Sequence, residues 1–293
     1  MEAGKEMSKL AIIDGDALTY QSSKDTLQES VTILDEKISN IFEKTEATHY
    51  VVFISNTPYF RHKIDPLYKS GRTKYTSPLK WLKTLKKYLI EGWGAQSMNG
   101  VESDDLCSYW MSKDVKTIGN PFRLNEKGDS NPLLPGSFEK ILCSADKDLL
   151  QSISNKNFNY SYKLEDKNNP NSLVKGWWIE ISVEHASFFT WEQMICGDAT
   201  DSIVGPYGKG KAWCDKNFAG KSLKEIQHLV FDEYIKEYGT EQGIHNFQKN
   251  FKLLHLLNTD EDFIREVGEI PTFPEIRQVP TKPVEEVNDD LKF

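Results

Sequence analysis

Residues 10–16 read Leu-Ala-Ile-Ile-Asp-Gly-Asp, four apolar residues followed by two carboxylates around a glycine. A short, wholly apolar run of this kind is the pattern of a strand covered on both faces. Two more runs share it, Tyr50-Val51-Val52-Phe53-Ile54 and Ile141-Leu142-Cys143. Between them the period changes: Val31, Leu34, Ile38, Ile41 and Phe42 mark one helix, and a second starts near Glu102 and carries Leu106, Tyr109 and Trp110. Strand alternating with helix predicts an α/β fold with a doubly wound, mostly parallel sheet. In such sheets ligands bind beyond the carboxyl ends of the strands. The first and third strands run straight into acids there, Asp14 and Asp16 in one case, Asp146 and Asp148 in the other.

Outward from these strands, the Gly-, Pro- and Asn-rich stretch 117–135 reads as an exposed loop. Phe158 to Tyr162 and Trp178 to Ile181 flank a turn and read as a hairpin. Beyond Trp191 the pattern is helical, with a glycine-rich break from Gly205 to Gly210, and from Gly268 onward Pro, Glu, Val and Asp dominate. The expected organisation is an α/β core over 1–190, with a basic segment at about 60–95, a helical region over 191–267, and an extended or disordered acidic tail over 268–293.

Composition narrows the chemistry. Apolar residues are 38% and charged residues 27% of 293, and no apolar run approaches the ~20 residues of a membrane span. The polar start, without a signal-peptide core, leads to the expectation of a soluble, cytoplasmic protein that works without a membrane. Cys107, Cys143, Cys196 and Cys214 form no CxxC pair and read as buried free thiols. The histidines show neither HxxxH nor HExxH spacing, which counts against a zinc hydrolase. The net charge of −8 counts against a nucleic-acid partner until its distribution is considered. Residues 61–87 carry nine Lys or Arg (Arg61, Lys63, Lys69, Arg72, Lys74, Lys80, Lys83, Lys86 and Lys87) against the single acid Asp65. That local field can bind phosphates despite the overall sign. Within it, Ser77-Pro78 is expected to begin a helix with Leu82, Leu85 and Leu89 facing inward and Lys80, Lys83 and Lys87 facing out.

Acids cluster at four places: Asp14 and Asp16; Glu102, Asp104 and Asp105; Asp146 and Asp148; Asp198 and Asp201. Brought to one sheet edge they would repel strongly in a low dielectric, and Mg²⁺ or Mn²⁺, hard cations that take oxygen ligands, would resolve the repulsion. For Glu102 to Asp105 helix capping is the rival explanation.

Five segments, in order, resemble the 5′ nuclease (flap endonuclease) superfamily, which includes phage 5′–3′ exonucleases and the 5′ nuclease domain of bacterial family-A DNA polymerases. They are Ile12-Ile13-Asp14-Gly15; Phe60-Arg61 followed by Leu67-Tyr68-Lys69-Ser70-Gly71-Arg72; Gly100-Val101-Glu102-Ser103-Asp104-Asp105, the most specific; Ser144-Ala145-Asp146-Lys147-Asp148; and Gly197-Asp198-Ala199-Thr200-Asp201. The resemblance implies a structure-specific 5′ nuclease acting on DNA with a single-stranded 5′ end or flap. Two metal ions would be held by the nine acids named above, with Lys69 and Arg72 as catalytic cations at the scissile phosphate. It implies a helical arch that binds DNA through Arg61, Lys63, Lys74, Lys80, Lys83 and Lys87, where Tyr68, Tyr75 and Trp81 stack on bases or pack. It also implies a helix–three-turn–helix region in which Gly205, Gly208, Lys209, Gly210 and Lys211 hold a duplex phosphate, with a monovalent cation at the glycine hairpin. Lys209 departs from the family there, since an apolar residue usually stands between the glycines.

A monomer is expected, with the tail ending Leu291-Lys292-Phe293 either solubilising or docking a sliding clamp or single-strand binding protein. The rival functions are a PIN-like ribonuclease and a non-catalytic DNA-binding accessory protein. One carboxylate of the family is missing, because the second strand ends Phe53-Ile54-Ser55-Asn56 without an acid. Asp16, on the same strand end as Asp14, either supplies that charge or caps the following helix.

Overall fold

The computed structural model describes residues 8–72, 80–113, 138–151, 156–167 and 169–281. The expected loop at 117–135, Lys74, Tyr75, the expected helix start at Ser77-Pro78, and the chain end from 282 lie outside the described residues.

The three apolar runs form β1 (Ser8–Asp14), β2 (His49–Phe53) and β3 (Phe138–Cys143), parallel neighbours in a six-stranded mixed sheet. Strand β4 (Lys156–Leu164) continues it in parallel, and β5 (Leu173–Glu180) folds back antiparallel as the hairpin partner of β4. The short β6 (Arg277–Gln278) closes the other edge, giving the order β5-β4-β3-β1-β2-β6. Alternation along β1 explains why the run from Leu10 to Ile13 is all apolar. Ala11 and Ile13 join one core with Leu34, Ile38, Leu85, Leu89 and Trp93, while Leu10 and Ile12 join another with Leu106, Trp110, Leu257 and Phe263. Each aliphatic side chain buried this fully contributes roughly 1.5–3 kcal/mol.

The helices on these faces follow from their sequences. Helix α1 (Gly15–Ser22) starts directly at the end of β1, so Asp16 stands in the first turn of the helix and not on the strand. Gly15 is required by close approach, since a Cβ there would stand 2.8 Å from both Ile54 Cγ2 and Phe53 O. Helix α2 (Leu27–Thr45) opens on a capping box of Thr26 and Glu29 and buries Val31, Leu34, Ile38 and Ile41. Residues Arg61–Ile64 form the single turn α3. Helix α4 (Leu82–Trp93) buries Leu85 and Leu89 and leaves Lys83 and Lys87 exposed, and α5 (Ser103–Ser112) packs on the other face.

A third core belongs to the helical region. Helices α6 (Val183–Cys196), α7 (Lys211–Phe218), α8 (Leu223–Tyr238) and α9 (Thr240–Leu254) gather Met194, Ile195, Cys214, Ile226, Val230, Tyr234 and Leu253. The turn between α6 and α7 folds onto the end of α6. A Cβ on Gly205 would stand 2.2 Å from Ile195 O, so no larger residue fits. After α10 (Asp260–Glu266) the chain runs back to the sheet: Phe273 and Ile276 pack on the second core, and the Val279 N–H donates to Thr48 O at 3.0 Å. The Pro-rich end of the sequence is thus fastened to a sheet edge over 268–281. Of the thiols, Cys107, Cys143 and Cys214 are buried, but Cys196, at the end of α6, is exposed. Among the described residues no helix is long and apolar enough to cross a membrane.

Candidate active site

Strands β1 and β3 are neighbours in register, Ile13 opposite Cys143, and the order of connections reverses between them, so a crevice opens at their carboxyl ends. An open cleft of about 830 Å³ lies there, lined by Asp14, Asp16, Glu102, Asp104 and Asp146 together with Lys69, Arg72 and Lys86.

Asp14 is the best-fixed carboxylate. It caps α1 by accepting the Asp16 N–H at 3.1 Å, and it also accepts the Ser103 hydroxyl at 2.9 Å and the Ser144 hydroxyl at 2.8 Å. Tyr160 donates to its backbone carbonyl at 2.6 Å. Burial, followed by the charges of Asp16 and Asp146, pushes its pKa up to about 7. Asp104 is raised well above the usual carboxylate range by burial and by Asp14 and Asp146. Among the described residues no Lys or Arg nitrogen pairs with Asp14, Asp104 or Asp146. Asp148, on the other side of Asp146, is raised to about 7 by burial and by Asp146, and accepts the Gln193 amide at 2.6 Å. Asp198 pairs with Lys147 at 3.1 Å and caps its own turn through the Thr200 N–H at 2.8 Å.

The remaining predicted acids are occupied. Glu102 stands at the N-cap of α5 but makes no capping bond, so capping does not explain it. Its Oε2 accepts Arg61 at 2.9 Å and Tyr68 at 3.0 Å, and its Oε1 pairs with Lys69. Burial opposes its charge, and Lys69 and Arg61 outweigh that, holding it down to about 2. Asp105 does not line the cleft; it is wholly buried in a two-pronged pair with Arg61, at 2.6 and 2.8 Å. Asp201 is held by Arg72 and Tyr68. Asp16 does not cap α1. Its carboxylate accepts the Ser55 N–H at 3.1 Å and pairs with Lys86 at 2.7 Å, which places it beside the acid-free end of β2.

The basic residues divide in the same way. Lys69 and Arg72 line the cleft opposite Asp104. Burial works against the Lys69 ammonium, but Glu102 and Asp201 outweigh it and hold its acidity above the ordinary lysine value. Lys63, Lys80, Lys83 and Lys87 are exposed. Arg61 is not on any DNA path, because it is 1% exposed inside the protein. In the turn before α7, Lys209 pairs with Glu233 of α8 at 3.0 Å, which explains a lysine where an apolar anchor was expected. Lys211 pairs with Glu192 at 3.0 Å, while Gly208 and Gly210 leave the backbone open, with nothing within 4 Å of a Cβ at either. Ser103 and Ser144, not singled out as site residues, orient Asp14, and Tyr68, read as stacking on bases or packing, is buried and bridges Glu102 and Asp201. The serines adjoin acidic motif positions, which was the available signal.

Three carboxylates that share one field without a cation suit a hard divalent ion. Among the described residues no three acidic, His or Cys side chains form a ready-made metal group, as expected of like charges that repel. The pH dependence of stability follows. With Asp14 near 7 when folded and 3.8 when unfolded, the folded state binds the extra proton. Its contribution is complete below about 4 and is lost as pH rises through 7. In chelator, Asp14→Asn is expected to melt higher than the wild type at pH 8, with the difference shrinking toward pH 5. Parallel melting curves for the two proteins would contradict this.

No family model matches the chain, and no curated protein matches it. Among solved structures it is similar to the flap endonuclease of bacteriophage T5 in a complex with DNA and metal ions, at 18% identity and a TM-score of 0.54 over 89% of this chain and 93% of that one. The T5 5′-exonuclease with bound zinc matches at 22% identity and a TM-score of 0.46, over 85% and 90%. The Holliday junction-resolving enzyme GEN1, in complex with product DNA and Mg²⁺, matches at 13% and 0.44, over 90% and 61%. The first of these shows that the chain has the 5′ nuclease fold.

Proposed function

We propose that a protein with this fold and this cleft is a structure-specific 5′ nuclease that hydrolyses DNA phosphodiester bonds with two divalent ions, Mg²⁺ or Mn²⁺. The observation that carries the reading is that Asp14, Asp104 and Asp146, free of cation partners among the described residues, share one cleft with Lys69 and Arg72. Asp14, Asp104 and Asp146, with Asp16 at the side, would hold one ion, and Asp146, Asp148 and Asp198 the other. Bound there, the ions supply activation of water and stabilisation of charge on the leaving oxygen. The chain supplies the rest. Ser103 and Ser144 fix Asp14 in one orientation, while Lys69 and Arg72 neutralise the reacting phosphate from the facing wall. The exposed lysines of α4 attract the single-stranded 5′ end, and the open backbone at 208–210 receives a duplex phosphate. The T5 flap endonuclease, whose structure contains DNA and metal ions, has the same fold and supports this assignment.

The test is cleavage of a 5′-flap DNA duplex in Mg²⁺, with a matched RNA flap and a chelator control. Cleavage of DNA that stops in chelator is expected. Cutting of the RNA flap alone would favour the ribonuclease reading, and no cutting of either would overturn the nuclease. Asp16→Asn is expected to raise the Mg²⁺ needed for half-maximal cleavage several-fold while barely moving the melting temperature, because Asp14 carries the cap. A loss of stability with unchanged metal dependence would remove Asp16 from the site.

A further inference from the structure

Asp201 is 7% exposed, and its carboxylate turns toward the basic segment. Oδ1 accepts both Nη2 and Nε of Arg72, at 2.7 and 3.2 Å; Oδ2 accepts the Tyr68 hydroxyl at 3.0 Å and lies 3.9 Å from the Lys69 ammonium. Two guanidinium N–H groups and a phenol proton shared with Glu102 point at it, whereas Asp14, Asp104 and Asp146 have no cation partner among the described residues. The backbone continues the same attachment. The Lys69 N–H donates to Asp201 O at 3.0 Å, and the Gly71 N–H donates to Ser202 Oγ at 3.0 Å. Lys69 and Ser202 both hold left-handed φ, 60° and 63°, a conformation that non-glycine residues keep only where surrounding contacts fix it. Two distant segments are therefore clasped residue against residue, the one carrying Lys69 and Arg72 and the one leading into the glycine turn.

From this geometry we infer that Asp201 is a positioning residue and not a metal ligand: it sets Lys69 and Arg72 at the cleft from the turn that docks the duplex. The inference rests on the nuclease reading, in which those two cations face the reacting phosphate. It implies that duplex binding at 205–210 and placement of the cations are mechanically one event, since only Ser202, Ile203 and Val204 separate Asp201 from that turn.

The test separates placement from metal binding. In Asp201→Asn, Mn²⁺ affinity measured calorimetrically without DNA is expected to stay within about twofold of the wild type, while the single-turnover rate on a 5′ flap falls about 100-fold, the usual cost of misplaced catalytic groups. Combined with Arg72→Ala, the loss is expected to be smaller than the product of the separate losses, because Asp201 acts partly through Arg72. Tyr68→Phe removes the hydroxyl that Asp201 shares with Glu102, the other carboxylate holding Lys69, without changing charge; a lesser fall in rate at unchanged Mn²⁺ affinity is expected, and it serves if Asp201→Asn does not fold. Asp201 would instead be a ligand if Mn²⁺ affinity fell about as far as in Asp104→Asn, and an independent contributor if its effect multiplied fully with that of Arg72→Ala. An unchanged rate in Tyr68→Phe would also overturn the assignment. A wild type that binds Mn²⁺ but cuts no flap overturns the nuclease reading itself, a result distinct from all of these.

Discussion

Arg61→Ala is expected to destabilise the protein by about 3–5 kcal/mol, the usual result of removing one partner from a buried ion pair. The guanidinium uses all five of its donors. Nε donates to Leu253 O at 2.9 Å, Nη1 to Glu102 at 2.9 Å and Asp105 at 2.6 Å, and Nη2 to Asp105 at 2.8 Å and His255 O at 2.9 Å. Truncation would strand a carboxylate with no exposure, Asp105, and unpair two carbonyls at the end of α9. It would also remove one of several joints between the α/β core and the helical region, the Gln151 amide bond to Leu254 O being another. A loss of that size is a large share of the 5–15 kcal/mol that typically holds a domain folded. Arg61→Lys is expected to recover little, because an ammonium lacks the planar fork. Urea unfolding measures the effect. A variant that unfolds at the wild-type midpoint but binds DNA more weakly would return Arg61 to the surface reading.

Why Arg61 could be misread and the strands could not is a matter of what each signal reports. Burial on two faces leaves a mark on each residue from Leu10 to Ile13, so the end of β1, and with it Asp14, was legible. A single buried arginine leaves none, and Arg61 stands in a sequence run whose other bases are mostly exposed. Its partner left none either: α5 buries Leu106, Cys107, Tyr109, Trp110 and Met111 on all sides, so no period separates Asp105, in the core, from Asp104, in the cleft. The attachment of 268–281 was hidden for a different reason. It depends on scattered side chains, Phe273, Ile276 and Val279, and on a two-residue strand, too short to show any period among prolines and acids. Asp201 and Lys69 were each visible as motif residues, but their pairing across 132 positions is a tertiary fact that no local pattern contains.

The Lys69→Ala variant is expected to lower the single-turnover cleavage rate roughly 10²–10³-fold, the range for removing one preorganised charge at a reacting centre. Its effect on flap affinity should be small, because the side chain is only 13% exposed and its ammonium is already paired with Glu102. Long-range attraction falls instead to Lys83 and Lys87, which are exposed on α4, and their contribution declines with salt. A second readout follows from Glu102. Its acidity, near 2 when folded against 4.5 when unfolded, stabilises the protein above about pH 4.5, and that contribution disappears as pH falls through 2. Lys69 is the stronger of its two cationic partners, so without it the folded value rises and the acid-unfolding midpoint should move to higher pH. A catalytic and paired lysine thus predicts a slow enzyme that binds DNA normally and tolerates acid less. If flap affinity fell as much as the rate, with acid unfolding unmoved, Lys69 would belong to the general basic field and not to the reacting phosphate.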